Sequence, residues 1–346
     1  MGSAWTHRDQ LSAGGVIGLR ILGVALAYYL AAVVGLLLSA PFGGPVRSLW
    51  IPAGVALACF LTLGLRTWTW PGIAIGSLAA TVPLLPPSAA LLVTLGNTLA
   101  PVCAYVLLRS VDFRKELDRL RDTFALVLIA AFGAMTISAT LGAVAITFLT
   151  VGEPAGFLAV WAVWWSSDVL GVLVVTPFLL VLLRIRRAFG AGWVRWLEMA
   201  LLLLVTFTVS MAATRNLGLL FLAFPLVIWA AWRFQLPGVA PCNLIVSAIA
   251  IDAAAHGYGL FAGRPLLANI TILQVFEGTV VLSGLFLAVV ITAWRRSRAE
   301  IEQAVATLTD ALARLQDSML PGQKYLSMMR DIPHEPGVRK QNPDDT

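Results

Sequence analysis

The sequence predicts an all-α fold: a polytopic transmembrane helix bundle of about 8–10 spans, with a short cytoplasmic coiled-coil helix after it. Three observations carry this reading. The 346 residues are 59% hydrophobic and 12% charged, where a soluble domain carries roughly 25% charge. About ten apolar runs follow one another, and the longer ones reach the roughly 20 residues that a helix needs to cross lipid. Beyond Trp294 the pattern changes to apolar residues in heptad spacing on a polar helix.

Residues 1–15 are a short polar lead. The first run, 16–40, is too long for the core of a signal peptide and reads as a retained helix. The second, 49–65, opens with Trp50-Ile51-Pro52-Ala53-Gly54. Pro near a first turn marks a helix start, and the Trp reads as part of an interfacial belt. The third run, 70–85, follows Arg66-Thr67-Trp68-Thr69. The fourth, 88–108, follows Pro86-Pro87 and contains Gly96-Asn97-Thr98. After a charge-dense loop, 109–122, come the fifth run, 123–150, and the sixth, 157–183. A basic loop, 184–195, leads to the seventh, eighth, ninth and tenth, at 196–213, 217–232, 239–255 and 267–294. The second and third runs are short, as are the eighth and ninth, which leaves tilted or re-entrant segments open.

Lys and Arg orient the bundle. With the tail inside, Arg66, the 109–121 cluster, Arg184, Arg186, Arg187, Arg195, Arg233, Arg295 and Arg296 all fall on the cytoplasmic side. Arg47, Arg215 and Arg264 fall opposite, and both termini are cytoplasmic. This placement accounts for the net charge of +6 without nucleic acid as a partner. Cys59, Cys103 and Cys242 sit in apolar runs with no CxxC pattern, so neither a disulfide frame nor a metal site is expected. No cofactor motif stands in a fitting context.

After Trp294 comes Arg295-Arg296-Ser297-Arg298. Ile301, Val305, Leu308, Leu312, Leu315 and Met319 then alternate four and three residues apart, the seam of a coiled coil, with a homodimer as its natural partner state. Pro321-Gly322 is expected to stop this helix. Residues 323–346 are rich in Pro and charge and read as disordered. His334-Glu335 is flanked by Pro333 and Pro336, which exclude the helix that a phosphoacceptor needs.

Intramembrane polar residues are the candidate site. Asp168 stands mid-run in WAVWWSSDVLGVLVVTP, residues 161–177. A carboxylate there costs about 2.5–3.5 kcal/mol on insertion scales. Trp161, Trp164, Trp165, Asp168, Gly171, Val172 and Val175 share one helical face. Asp168 is either a ligand or proton site walled by Trp164 and Trp165, or a polar clasp between helices. Its candidate partners are Asn97, Arg233 and Gln274. Asn97 suits interhelical hydrogen bonding, and Arg233, at a helix end, suits snorkelling. Gln274 and Glu277 share a face of the last span, where the pair either reports pocket occupancy or simply packs. Asp252 and His256, at i and i+4, are a weak pair for a metal or for pH sensing.

Several stretches together resemble the bacterial membrane-associated sensor domain, MASE type one. They are Leu49-Trp50-Ile51-Pro52-Ala53-Gly54; Trp70-Pro71-Gly72 with Gly76; Gly96-Asn97-Thr98-Leu99; Trp164-Trp165-x-x-Asp168-x-x-Gly171 with Thr176-Pro177; Phe224-Pro225 with Trp229-Ala230-Ala231-x-Arg233-Phe234 and Pro237-Gly238; and Leu273-Gln274-x-Phe276 before Arg295-Arg296-x-Arg298-Ala299-Glu300. The resemblance implies about eight spans and a non-enzymatic input module placed before a kinase, a diguanylate cyclase or phosphodiesterase, or a phosphatase. The chain then divides into a lead (1–15), a transmembrane sensor domain (16–294), a signalling helix (295–320) and a tail (321–346). About 25 residues follow the seam, far short of a roughly 100-residue output domain, so the expectation is a stand-alone or truncated sensor. Its signal is a small ligand, a lipid or a partner protein. The alternatives are a proton-coupled transporter and a membrane subunit of a separate signalling kinase.

Overall fold

The computed structural model describes residues 3–39, 48–150, 156–184 and 192–330, and among them no strand occurs. Each predicted apolar run is a helix. We number them α1 (Ser3–Ser39), α2 (Ile51–Leu63), α3 (Thr69–Thr81), α4 (Pro87–Ser110), α5 (Leu120–Leu149), α6 (Phe157–Leu182), α7 (Trp193–Ala212), α8 (Ala223–Phe234), α9 (Leu236–His256) and α10 (Leu266–Arg330). Seven helical stretches among the described residues are long and apolar enough to cross a membrane. The polar lead is not separate, because α1 already begins at Ser3.

The remaining three, α2, α3 and α8, have 13, 13 and 12 residues. At about 1.5 Å per residue each reaches roughly 20 Å, short of a hydrocarbon core of about 30 Å. The cause for α2 lies before it. Ser48, Leu49 and Trp50 are non-helical yet almost fully buried. Irregular backbone at such depth survives only where protein satisfies it. Here the Trp50 N–H donates to the Ser167 carbonyl at 3.0 Å, and Pro52 begins the helix without needing a donor.

The core centres on α6 and α9. A membrane helix that touches lipid on one side exposes one stripe, but α6 is buried all round from Ser167 to Pro177. α2 crosses it backbone to backbone. A Cβ at Gly171 would stand 2.0 Å from the Trp50 oxygen, and one at Gly54 would stand 2.2 Å from the Gly171 oxygen. Thr176 Oγ1 donates to the Gly54 carbonyl at 3.1 Å. The widened π-helical turn at Gly171–Val175 falls at this crossing.

By internal contacts the chain forms two compact units, Met1–Ala293 and Trp294–Thr346, with α10 running through both sequences. In the second unit Arg296 pairs with Glu300 and Arg298 with Glu302 at i, i+4. Ile301, Val305, Leu308, Leu312 and Leu315 are all more than half exposed. The side chain of Met319 and residues 331–346, with His334-Glu335, lie outside the described residues. The expected stop at Pro321-Gly322 is corrected: the helix runs on to Arg330. One proline removes one backbone bond, and a helix that continues around it keeps its flanking turns.

Candidate functional site: two buried polar centres

Asp168 is 1% exposed and faces the interior of the first unit. It lines a narrow cavity with Tyr28 of α1, Trp50 and Ala53 at the start of α2, Asn97 and Pro101 of α4, and Met135 and Ser138 of α5. The void is thin: no water-sized sphere fits within it. The carboxyl lies beside the first turn of α2, whose helix dipole favours a negative group there. Asp168, Tyr28 and Trp50 are all engaged by neighbouring groups.

A hydrogen-bonded chain runs beside the cavity. The Trp164 indole donates to Ser138 Oγ at 3.3 Å, Ser138 donates to Asn97 Oδ1 at 3.2 Å, and Asn97 Nδ2 donates to Ser77 Oγ at 3.0 Å. It ties α6, α5, α4 and α3 together. Asn97 therefore shares the cavity with Asp168 and holds two other helices.

The expected aromatic wall has a different job. Trp164 and Trp165 do not line the cavity. The Trp165 indole donates to the Phe132 carbonyl at 3.0 Å, within the π-helical stretch of α5, and the Trp161 indole donates to Thr140 Oγ1 at 3.1 Å. The rings of Trp161 and Trp165 stack at 5.8 Å. Trp164 lies flat on Gly142, where a Cβ would meet it at 2.4 Å. The three tryptophans stitch α6 to α5, using the one polar group each ring owns.

Other expected partners lie elsewhere. Arg233 pairs with Glu198 of α7 at 2.5 Å, both about half exposed, so it does not neutralise Asp168. Its position in the last turn of α8 keeps it at a helix end, near water. Gln274 and Glu277 do not line the cavity. Glu277 forms a second centre, 1% exposed, with the Ser247 hydroxyl of α9 interacting with its carboxyl. Apart from Ser247, no hydrogen-bond partner for either Glu277 oxygen occurs among the described residues. Asp252 is held by Arg215 at 2.9 Å and by His256 Nδ1 at 3.2 Å, and His256 stacks on Tyr258. No group of three metal-ligating residues occurs among the described residues.

Trp50, read from the sequence as an interfacial belt residue, is corrected: it is 2% exposed and inside the bundle. Tyr28, Pro101, Met135 and Ser138 escaped sequence reading altogether. Each looks ordinary in an apolar run. For Ser138 the only signal was the scatter of Gly, Ser and Thr through the fifth run.

The sequence matches the MASE1 family over residues 19–295. No curated protein and no solved structure matches it significantly. MASE1 domains are membrane-associated sensory input domains rather than catalytic ones. The match covers well over half of the chain, spans the cavity and both carboxyls, and agrees with a multi-pass helical bundle: the chain belongs to the MASE1 family.

Proposed function

We propose that the chain is a sensory input module of the bacterial inner membrane, with both ends cytoplasmic. A small ligand, a lipid or a partner protein biases two arrangements of the bundle around the Asp168 cavity. The bias passes along α10 to the seam at Ile301, Val305, Leu308, Leu312 and Leu315, where two copies pair. A switch of this kind needs a signal with different affinity for the two arrangements. A cavity closed to water supplies one arrangement, and opening it to a ligand supplies the other.

The observation that carries this reading is α10 itself. It carries buried positions such as Leu273, Glu277 and Leu285 in its first part, and five exposed apolar residues in heptad spacing later. Exposed leucines at that period are costly in a lone helix and useful in a pair. Disulfide scanning of residues 301–315, in a chain without native cysteines and in vesicles, tests it. Leu308→Cys and Val305→Cys should cross-link well, and Thr307→Cys poorly. Uniform or absent cross-linking would remove the dimer. The seam or the cytoplasmic loops would then serve a separate kinase or other output protein, which co-purification of the intact chain would reveal.

A second reading, a proton-coupled carrier, draws on the two buried carboxyls and the short helices α2, α3 and α8. Flux in proteoliposomes that disappears in Asp168→Asn would establish it over the sensory one.

A further inference from the structure

Glu277 sits on the inward stripe of α10, between Ile270 and Leu273 on one side and Val280, Val281 and Leu285 on the other. Three elements are seen to pack on this part of the helix. At Gly284 a Cβ would meet Val227 of α8 at 2.7 Å and Val239 and Asn243 of α9 at 2.9 and 3.2 Å. Phe276 meets Phe224 of α8 edge-on at 6.4 Å, and Phe286 meets Phe124 of α5 at 4.8 Å. The polar group at the carboxyl comes from α9: the Ser247 hydroxyl, 1% exposed, with Asn243, also 1% exposed, one turn earlier and facing Gly284. Asn243 Oδ1 has no hydrogen-bond partner, and neither does Gln274 Nε2, three residues before Glu277.

The charged groups on the packing elements are occupied elsewhere. Arg233 of α8 pairs with Glu198, Asp252 of α9 is held by Arg215 and His256, Arg121 of α5 donates to the Val111 carbonyl, and Asp122 of α5 accepts the Arg114 backbone N–H. An ionised carboxylate buried without a counter-charge is a very costly species. A metal ion would satisfy the charge but needs about six oxygen ligands. Glu277, Ser247 and Asn243 offer too few, and no third acidic, His or Cys group joins them among the described residues. A proton needs only the carboxyl and an acceptor, and Ser247 carries an acceptor oxygen.

We propose that Glu277 is an exchangeable proton-binding site, with Ser247 as its polar neighbour. Its proton determines how α10 seats against α8 and α9. The site stands on its own geometry; only its consequence for signalling rests on α10 as the relay.

The test is carbodiimide labelling of the full chain in lipid nanodiscs, since a carbodiimide adds to a protonated carboxyl in apolar surroundings. Peptide mass mapping locates the adduct across a series from mildly acid to mildly alkaline buffer. The expected result is an adduct at Glu277 whose yield falls about tenfold per pH unit above its midpoint. It should be indifferent to sodium at constant ionic strength and lost in Glu277→Gln. Ser247→Ala should keep the adduct and move the midpoint. Three results would overturn the proposal: no adduct at Glu277 at any pH, a yield that does not change with pH, or protection by sodium. An unmoved midpoint in Ser247→Ala would remove Ser247 from the site. The wild-type series needs no variant to fold. Cross-linking at 301–315 is read separately, so failure of either leaves the other standing.

Discussion

Asp168 and Glu277 look alike in the sequence, each a lone acid inside an apolar run. Folding houses them differently. Asp168 lies against the first turn of α2, beside a chain of hydrogen bonds that joins four helices, and faces a cavity made by five segments of the chain. Glu277 lies on the inward stripe of α10, with the Ser247 hydroxyl of α9 as its polar neighbour. A costly residue is thus kept in one place where five segments of the chain meet, and in the other on the inward stripe of one long helix.

The strongest way to break the comparison is to disturb the frame around Asp168. Gly171→Ala would place a Cβ 2.0 Å from the Trp50 oxygen, a backbone atom that no rotamer change can move. The cost should reach or exceed the roughly 1–3 kcal/mol of ordinary overpacking. Gly278→Ala, on the Glu277 helix with nothing within 4 Å, should be neutral or slightly stabilising. Thermal unfolding of the two detergent-solubilised variants gives the difference directly, and equal melting temperatures would refute the close crossing.

Replacing each acid by Leu comes next. Asp168→Leu strands the groups that engage it, at about 1–3 kcal/mol for each buried polar group left over. Glu277→Leu replaces a buried carboxyl, whose polar neighbour is the Ser247 hydroxyl, with an apolar group, so stability should hold or rise. Opposite signs in denaturant or thermal titrations sharpen the contrast, and equal losses would erase it. A smaller effect is expected for Ser138→Ala, which removes the hydrogen bonds to the Asn97 oxygen and from the Trp164 indole, at roughly 1–2 kcal/mol in the same assay. Smallest is Arg233→Ala. Its pair with Glu198 is about half exposed, and screening by solvent should hold the loss below about 1 kcal/mol.

The helices were legible because lipid imposes a length and an apolar composition that no soluble helix needs. The site was legible only in part. Asp168 and Asn97 announce themselves as polar residues in apolar runs. Tyr28, Met135 and Pro101 do not, since a residue acquires a place in a cavity only when distant runs meet. Trp50 misled because a Trp before a helix start usually marks the membrane surface. The non-helical Ser48–Trp50 segment instead carries it inward, tied to the Ser167 carbonyl. Arg233 misled because a cation is the obvious partner for a buried acid. The sequence does not show that Glu198, 35 residues earlier, stands nearer.

In the proposed signal path the Asp168 cavity and the α10 seam are coupled. The most direct measurement is the rate of disulfide formation at Leu308→Cys in vesicles, with and without Asp168→Asn in the same chain. Coupling of ordinary size predicts a change in rate of about fivefold or more. An unchanged rate in a folded, membrane-inserted variant would contradict it.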